Sequence, residues 1–474
     1  MGAGLEAVTL VGIWSRKSAE ATLKDGAYKK TKLKRNLGAV DLTALGIGAI
    51  IGTGIFVLTG VAAARYAGPA VVLSFIVSGI ASGLAALSYA ELASMVPVAG
   101  SAYTYSYVAL GEIIAWIIGW DLILEYAVSA GAVAIGWSGY FTDLLKAIGI
   151  VLPRWATSSP LMGGVINLPA GLITAIITSL LVFSTRESSH ANKFIVAIKL
   201  LAVLLFIGIG AFHVKPSNWV PFAPNGWSGI MTGSAIVFFA YIGFDAVSTA
   251  AEEVRNPQRD LPTGIIASLG ISTILYIIVA GLLTGMVSFK RLDTPAPVAF
   301  ALLEVGVPWG AAAISVGALA GLTSVLLVTI FAQSRIFFAM SRDGLLPHVF
   351  SRVHAKFGTP YIITIVTGTV VALIGMVLPI GMVAELANIG TLTAFILVSI
   401  GIMILRKTQP NLRRPFKTPL VPFTPILTIV FCAYLIVSLP RVTWIRFVVW
   451  LATGFMVYFF YGRHRSIASR EGCS

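Results

Sequence analysis

Residues Gly46 to Phe56 read GIGAIIGTGIF and lie in the middle of the first long apolar segment, where an uninterrupted membrane helix would carry leucines. Each internal glycine costs a helix about 0.8–1 kcal/mol relative to alanine, and backbone groups released by a break at bilayer depth are tolerated only where they line a cavity or meet a ligand. Gly46, Gly48, Gly52 and Gly54, with Thr53 among them, therefore predict a helix broken around a polar ligand. Close helix packing through the Gly48-xxx-Gly52 pair is the alternative. Packing alone does not account for Thr53 and Gly54.

The surrounding composition is that of a polytopic membrane protein. Of 474 residues, 57% are hydrophobic and 11% charged, and the mean hydropathy is +0.91, whereas a soluble domain carries roughly a quarter charged residues. Measured against the roughly 20 apolar residues needed to cross a bilayer, the first half predicts spans at 40–64, 71–96, 110–146, 164–184, 194–213 and 227–251. The second half adds 262–288, 308–340, 361–380, 383–405, 421–440 and 444–462.

Twelve spans put both termini on one side, and lysine and arginine concentrate on the cytoplasmic face of membrane proteins. With the N-terminus inside, 24 of the 33 Lys and Arg fall on the cytoplasmic side, eight of them in the tail from Arg16 to Arg35 and others at Arg186, Lys193 and Lys356. Another eight lie outside, and Lys199 sits within a span. The net charge of +14 thus faces anionic lipid headgroups and requires no nucleic acid. Cys432 and Cys473 have no metal-ligand spacing, and residues 1–38 form a basic tail without a signal-peptide core. The domain reading is a cytoplasmic tail (1–38), two five-helix units (39–213 and 227–406), two further helices (421–462) and a cytoplasmic C-terminal tail (463–474).

Several chemistries are excluded. GIGAIIG places its third glycine one residue too late for a dinucleotide fingerprint, and no strand precedes it. Walker A and HExxH motifs are missing, and the five histidines lie near or beyond predicted span ends. An enzyme therefore has no constellation here.

Span six repeats the interruption. Phe238-Phe239-Ala240-Tyr241-Ile242-Gly243-Phe244-Asp245 sets a glycine and a carboxylate at mid-span, followed by Glu252, Glu253 and Arg255-Asn256-Pro257. Interruptions five helices apart fit two inverted five-helix units, and paired breaks are the best sequence pointer to a transporter site. Amides around Thr53 and Gly54, opening a second half-helix, suit a carboxylate. Carbonyls at Ile50, Phe239, Ala240 and Ile242 suit an ammonium. A ligand bearing both groups on one carbon is an α-amino acid.

Ionisable residues inside spans default to function. Lys199 either snorkels toward Lys193's end of the helix or is withdrawn from water, where a lysine can exchange a proton near neutral pH. Asp121, Glu125 and Ser129 are four apart on one face of span three. Structural hydrogen bonding to a neighbouring helix is the alternative for both carboxylates, more so for Asp121. Asp245 adjoins the second break. Glu91 and Glu112 are expected to be scaffold contacts, and Glu385 has no assigned role. Gly321 to Ser324 and Thr329 make span eight unusually small and hydroxylated.

GIGAIIGTGIF followed by FFAYIGFDAVSTAAEEVRNPQRDLP resembles the amino acid-polyamine-organocation superfamily. LKRNLGAVDLTALGIGAIIGTGIFVLTG is similar to its cationic amino acid transporter branch and that branch's bacterial relatives, over residues 33–462. Twelve predicted spans stand here against fourteen in the larger animal members. The resemblance implies an all-α membrane protein of the LeuT-like fold, with a 5+5 inverted repeat, broken helices one and six, and two C-terminal helices. It also implies that Ile50 contributes a carbonyl, Thr53 and Gly54 hold the substrate carboxylate, and Phe239, Ala240 and Ile242 meet the amino group. Phe239 would act as gate and Asp245 would couple protonation to closure. Lys199 would stand where sodium-coupled relatives bind their ion, which implies a proton as coupling ion and no other cofactor.

The function expected is a proton-coupled symporter for cationic or small neutral L-amino acids in a plasma membrane, working by alternating access. Glu125 and Ser324 would tune the side-chain pocket. An exchanger of the same fold is the nearest alternative, and a non-transporting membrane subunit or receptor is the alternative from another class. The expected partners are the amino acid and the lipid bilayer, with room left for a small accessory membrane subunit.

Overall fold

The computed structural model describes residues 37–95, 101–183, 189–249, 251, 254–354, 357 and 359–466. The tail up to residue 36, Arg186, Glu252, Glu253, Lys356 and residues 467–474, with Arg470 and Cys473, lie outside the described residues, as does the side chain of Lys193.

The principal elements are helices. They are α1 (Ala39–Ile50), α2 (Val71–Met95), α3 (Ser101–Ala109), α4 (Glu112–Ala147), α5 (Leu168–Phe183), α6 (Ser189–Ala211), α7 (Gly226–Val237), α8 (Pro257–Met286), α9 (Pro297–Glu304), α10 (Pro308–Arg342), α11 (Tyr361–Val377), α12 (Ile380–Thr408), α13 (Phe423–Val437) and α14 (Arg441–Val457). Prolines open α8, α9 and α10, where the missing N–H has no intrahelical partner to lose. Two isolated bridges, Leu37 with Val254 and Thr157 with Asn167, are the extended pairings among the described residues.

Seven of the described helical stretches are long and apolar enough to cross a membrane, and four shorter apolar helices accompany them. The chain is a multi-pass, all-helical membrane protein. Its exposed faces bear this out: Leu172, Ile176, Leu180 and Phe183 of α5 form an exposed apolar stripe at helical spacing, a surface that suits lipid and would be costly in water. The interior instead holds Glu91, Glu112, Asp121, Glu125, Lys199 and Asp245.

Two helix groups organise the packing. One joins α1, α2, α7 and α8, and the other joins α4, α5, α10 and α11; α6 bridges α1 and α8 to α10, and α12 lies across α4, α3 and α2. The helices fall within the predicted spans to within a few residues, with two additions, α3 and α9, in segments read as connections.

Candidate functional site

Both predicted breaks are present, and they touch. The α-helical course of α1 ends at Ile50, Ile51 is extended (φ −75°, ψ 102°), and helix resumes as a π-helical turn over Gly54–Leu58. In the second, α7 passes into a 3-10 turn over Phe238–Tyr241, Ile242 is extended (φ −63°, ψ 137°), and Gly243 takes φ +109°, a region costly for any side chain bearing a β-carbon. A β-carbon on Gly54 would overlap Cα and Cβ of Ala240, and one on Gly243 would sit 3.1 Å from the Ala49 carbonyl oxygen. The glycines thus allow the two interrupted segments to press backbone against backbone. Close packing also operates here, since a β-carbon on Gly48 would sit 2.8 Å from Val196 of α6.

Breaking two helices in a low-dielectric interior releases carbonyls that need donors. Lys199, fully buried on α6, points its ammonium at the first break and donates to the carbonyls of Gly48 and Ile51, the latter at 2.9 Å. It does not snorkel. The Tyr276 hydroxyl of α8 lies 2.8 Å from both the Ile50 and the Ala240 carbonyl oxygens. It has one proton to share between the two breaks. Asn388 of α12 donates its amide to the Ala235 and Ile236 carbonyls at 2.6 and 3.1 Å, and Tyr140 donates to Phe56 O at 2.7 Å.

A cavity of about 60 Å³ opens beside the breaks, walled by Ile50, Gly52, Thr53, Gly54, Phe239, Ile242, Gly243 and Asp245, by Glu125, Tyr126 and Ser129 of α4, and by Val325, Val328, Thr329 and Ala332 of α10. The Tyr126 hydroxyl lies 3.4 Å from Asp245 Oδ2. The hydroxyls of Thr53 and Ser129 have no hydrogen-bond partner among the described residues, so both are free to meet a polar ligand.

A wider cavity of about 480 Å³ lies toward one end of the bundle, with Arg65, Tyr66, Asp143, Asn167, Asp293 and Glu385 among its lining. An apolar cluster of Leu58, Val128, Ala132, Phe239, Val383, Ala384 and Ala387 packs against residues of both cavities, Ile242 on the small one and Ile135 and Leu378 on the wide one. Phe239 therefore belongs to an apolar cluster that borders both cavities. On the other side of the second break, the rings of Tyr89, Phe244 and Phe395 meet edge-to-face or tilted, with centroids 5.3–5.5 Å apart.

The profile of the amino acid permease family matches residues 37–460, an interval that holds both breaks and the cavity between them. The chain belongs to this family. It is a transporter of the amino acid-polyamine-organocation superfamily. The permease is 50% identical over 461 residues to the branched-chain amino acid permease BcaP of Bacillus subtilis (strain 168), covering 96% of this chain and 98% of that one. It is 49% identical to the methylthioribose transporter of the same organism, over 93% and 96% of the two chains. Against the vacuolar cationic amino acid transporter 4 of Arabidopsis thaliana the identity is 38%, over 82% of this chain and 65% of the relative.

Of the residues singled out in the permease sequence, Ile50, Thr53, Gly54, Glu125, Phe239, Ile242 and Asp245 meet around one cavity. Ser324 and Ala240 are not on its wall. Helical rotation of 100° per residue turns Val325 and Val328 inward in place of Ser324, and the Ala240 carbonyl faces Tyr276. Lys199 stands behind the break, not in the cavity. Glu91 and Glu112 are structural ligands as expected: Glu91 accepts from Arg406 at 2.7 and 3.1 Å and from the Thr418 amide at 2.7 Å, and Glu112 accepts from Tyr107 and Tyr458, each at 2.9 Å. Glu385 accepts from Thr443 at 2.6 Å and borders the wide cavity. Sequence inspection missed Tyr276 and Asn388. The available signal was a hydroxyl and an amide in otherwise apolar spans, where polar tips need partners.

Proposed function

We propose that this permease is a proton-coupled amino acid symporter of a plasma membrane, with both termini cytoplasmic and twelve spans, ten of them in two inverted five-helix units. The observation that carries it is the meeting of the two breaks around a cavity, with a buried lysine donating to the carbonyls of one break. Thr53 and Gly54 amides would bind the substrate carboxylate at a positive helix end. The carbonyls of Ile50, Phe239, Ala240 and Ile242 would receive its ammonium, two of them by drawing it into competition with the Tyr276 hydroxyl. Phe239 would swing out of the apolar cluster to admit substrate from the wide cavity, and the α1–α2–α7–α8 group would rock against α4–α5–α10–α11.

Proton coupling would run through Lys199, whose ammonium and amine forms hold the first break differently, and through Asp245. Val133, Val325, Val328 and Ala332 give the cavity an aliphatic wall, which favours a neutral aliphatic side chain. The 50% identity to a protein named as a branched-chain permease supports that preference over the cationic one. Glu125 then serves charge balance in the cavity.

Purified permease in proteoliposomes tests this. Leucine, valine, alanine, arginine, lysine and methylthioribose are offered with an inside-alkaline gradient. Aliphatic amino acids should accumulate, and a protonophore should abolish accumulation. If accumulation continues undiminished with the gradient collapsed and depends on internal substrate, the permease is an exchanger and symport is wrong.

A further inference from the structure

Carboxyl groups buried for structural reasons have an evident signature in this fold. Glu91 is met by Arg406, Arg414 and the Thr418 amide, Glu112 by Tyr107, Tyr458 and Ser466, and Asp343 by Tyr103 at 2.7 Å. Asp121 differs. It lies in the middle of the packed bundle with no exposure to solvent, and neither of its carboxyl oxygens has a hydrogen-bond partner among the described residues. A scaffold contact to a neighbouring helix is therefore not its role, since an unsatisfied buried polar group weakens a fold.

Its position supplies an alternative. Asp121, Glu125 and Ser129 are successive residues at four-residue spacing on α4, so they share a face with β-carbons about 5–6 Å apart. Ser129 and Glu125 wall the central cavity, while Asp121 stands one turn deeper and is not on that wall. It is covered by α12, where a β-carbon on Gly390 would sit 3.8 Å from the Asp121 carbonyl oxygen. From the elements around α4, α12 presents Thr391, hydrogen-bonded to Glu125, and α10 presents Gln333, which donates to the Ile123 carbonyl; both are uncharged. Asp245, held near Tyr126, lies across the cavity, and Glu112 and Asp343 at the inner end are already engaged by tyrosines.

We infer that Asp121 is a second proton-holding residue, exchanging a proton with Glu125 during transport. The O–H bond of the Glu125 carboxyl breaks as the O–H bond of the Asp121 carboxyl forms. Glu125 is left ionised toward the cavity and Asp121 is neutral behind it; the reverse transfer reloads Glu125. The cavity can then change its charge without opening to water. This rests on the proton-symport reading and adds to it a residue that touches neither substrate nor solvent.

Full-length permease in proteoliposomes with an entrapped pH-sensitive dye separates the outcomes. Asp121→Asn should reduce substrate-driven proton influx and gradient-driven accumulation by roughly ten-fold or more, while counterflow, which needs no net proton movement, falls far less. Asp121→Glu should restore influx. Infrared difference spectra of the unaltered protein should show a substrate-induced change in a protonated-carboxyl band that shifts in Asp121→Glu, a readout that holds even where Asp121→Asn folds poorly. Wild-type influx in Asp121→Asn, equal loss of influx and counterflow, or a band indifferent to Asp121→Glu overturns the assignment and leaves symport standing. Absence of substrate-driven influx in the unaltered protein overturns symport itself, and the assignment with it.

Discussion

The ammonium of Lys199 lies 2.9 Å from the carbonyl oxygen of Ile51, where the first helix of the bundle is interrupted. Residues 148 positions apart in the chain are joined because a broken helix in an apolar interior must find donors elsewhere. Lys199→Met keeps much of the volume and removes the donor. It should lower stability by about 1–3 kcal/mol, the cost of leaving buried carbonyls unsatisfied, and abolish gradient-dependent uptake. Thermal melting in detergent with parallel uptake assays checks both, and retention of both would remove Lys199 from the site.

Tyr276→Phe deletes the hydroxyl shared by Ile50 and Ala240. The expected loss is again about 1–3 kcal/mol. If the same carbonyls receive the substrate ammonium, saturating substrate should stabilise Tyr276→Phe more than the unaltered protein. An equal thermal shift in the two would mean that the ammonium binds elsewhere.

Gly54→Ala forces a β-carbon into the backbone of Ala240. Overpacking typically costs about 1–3 kcal/mol, and here the obstacle is main chain, which cannot rotate away. Uptake should be lost. Gly83, in the middle of α2, is the contrast, since a β-carbon there meets nothing within 4 Å. Gly83→Ala should be tolerated and raise stability by roughly 0.5–1 kcal/mol through helix propensity. Transport by Gly54→Ala at the unaltered rate would show that the breaks do not need their contact.

Glu91 is buried, and Arg406 in the last turn of α12 and Arg414 just beyond it converge on it. Glu91→Gln leaves two guanidinium groups short of their counter-charge, and breaking such a pair costs about 3–5 kcal/mol. A large fall in melting temperature should accompany faster proteolysis between residues 409 and 420. Uptake measured below the new melting point should survive, because Glu91 does not line the central cavity.

Much of the fold was legible along the chain. Runs of apolar residues located the long helices because a membrane-facing helix must be apolar over most of its length, and that requirement is local. The helices α3 and α9 were not legible, since their sequences carry no bilayer-length pattern and they form on neighbouring surfaces. At the site, Thr53, Gly54, Phe239 and Asp245 were found through the interrupted motifs that contain them. Tyr276 and Asn388 were not, because each acts on a carbonyl far away in sequence. Ser324 was picked where its neighbour Val325 faces the cavity, a difference of one residue that only the rotation of a packed helix settles.

By itself, the sequence determined that this protein spans the membrane many times and breaks its first and sixth apolar segments, because glycine cost and apolar length are properties of the chain. Only the tertiary structure decided that the breaks touch through Gly54 and Ala240, that Lys199 turns inward to the first of them, and that Asp121 is left without a hydrogen-bond partner among the described residues. Those depend on which distant groups share a low-dielectric interior, where each released carbonyl must find a donor and each carboxyl a proton or a partner.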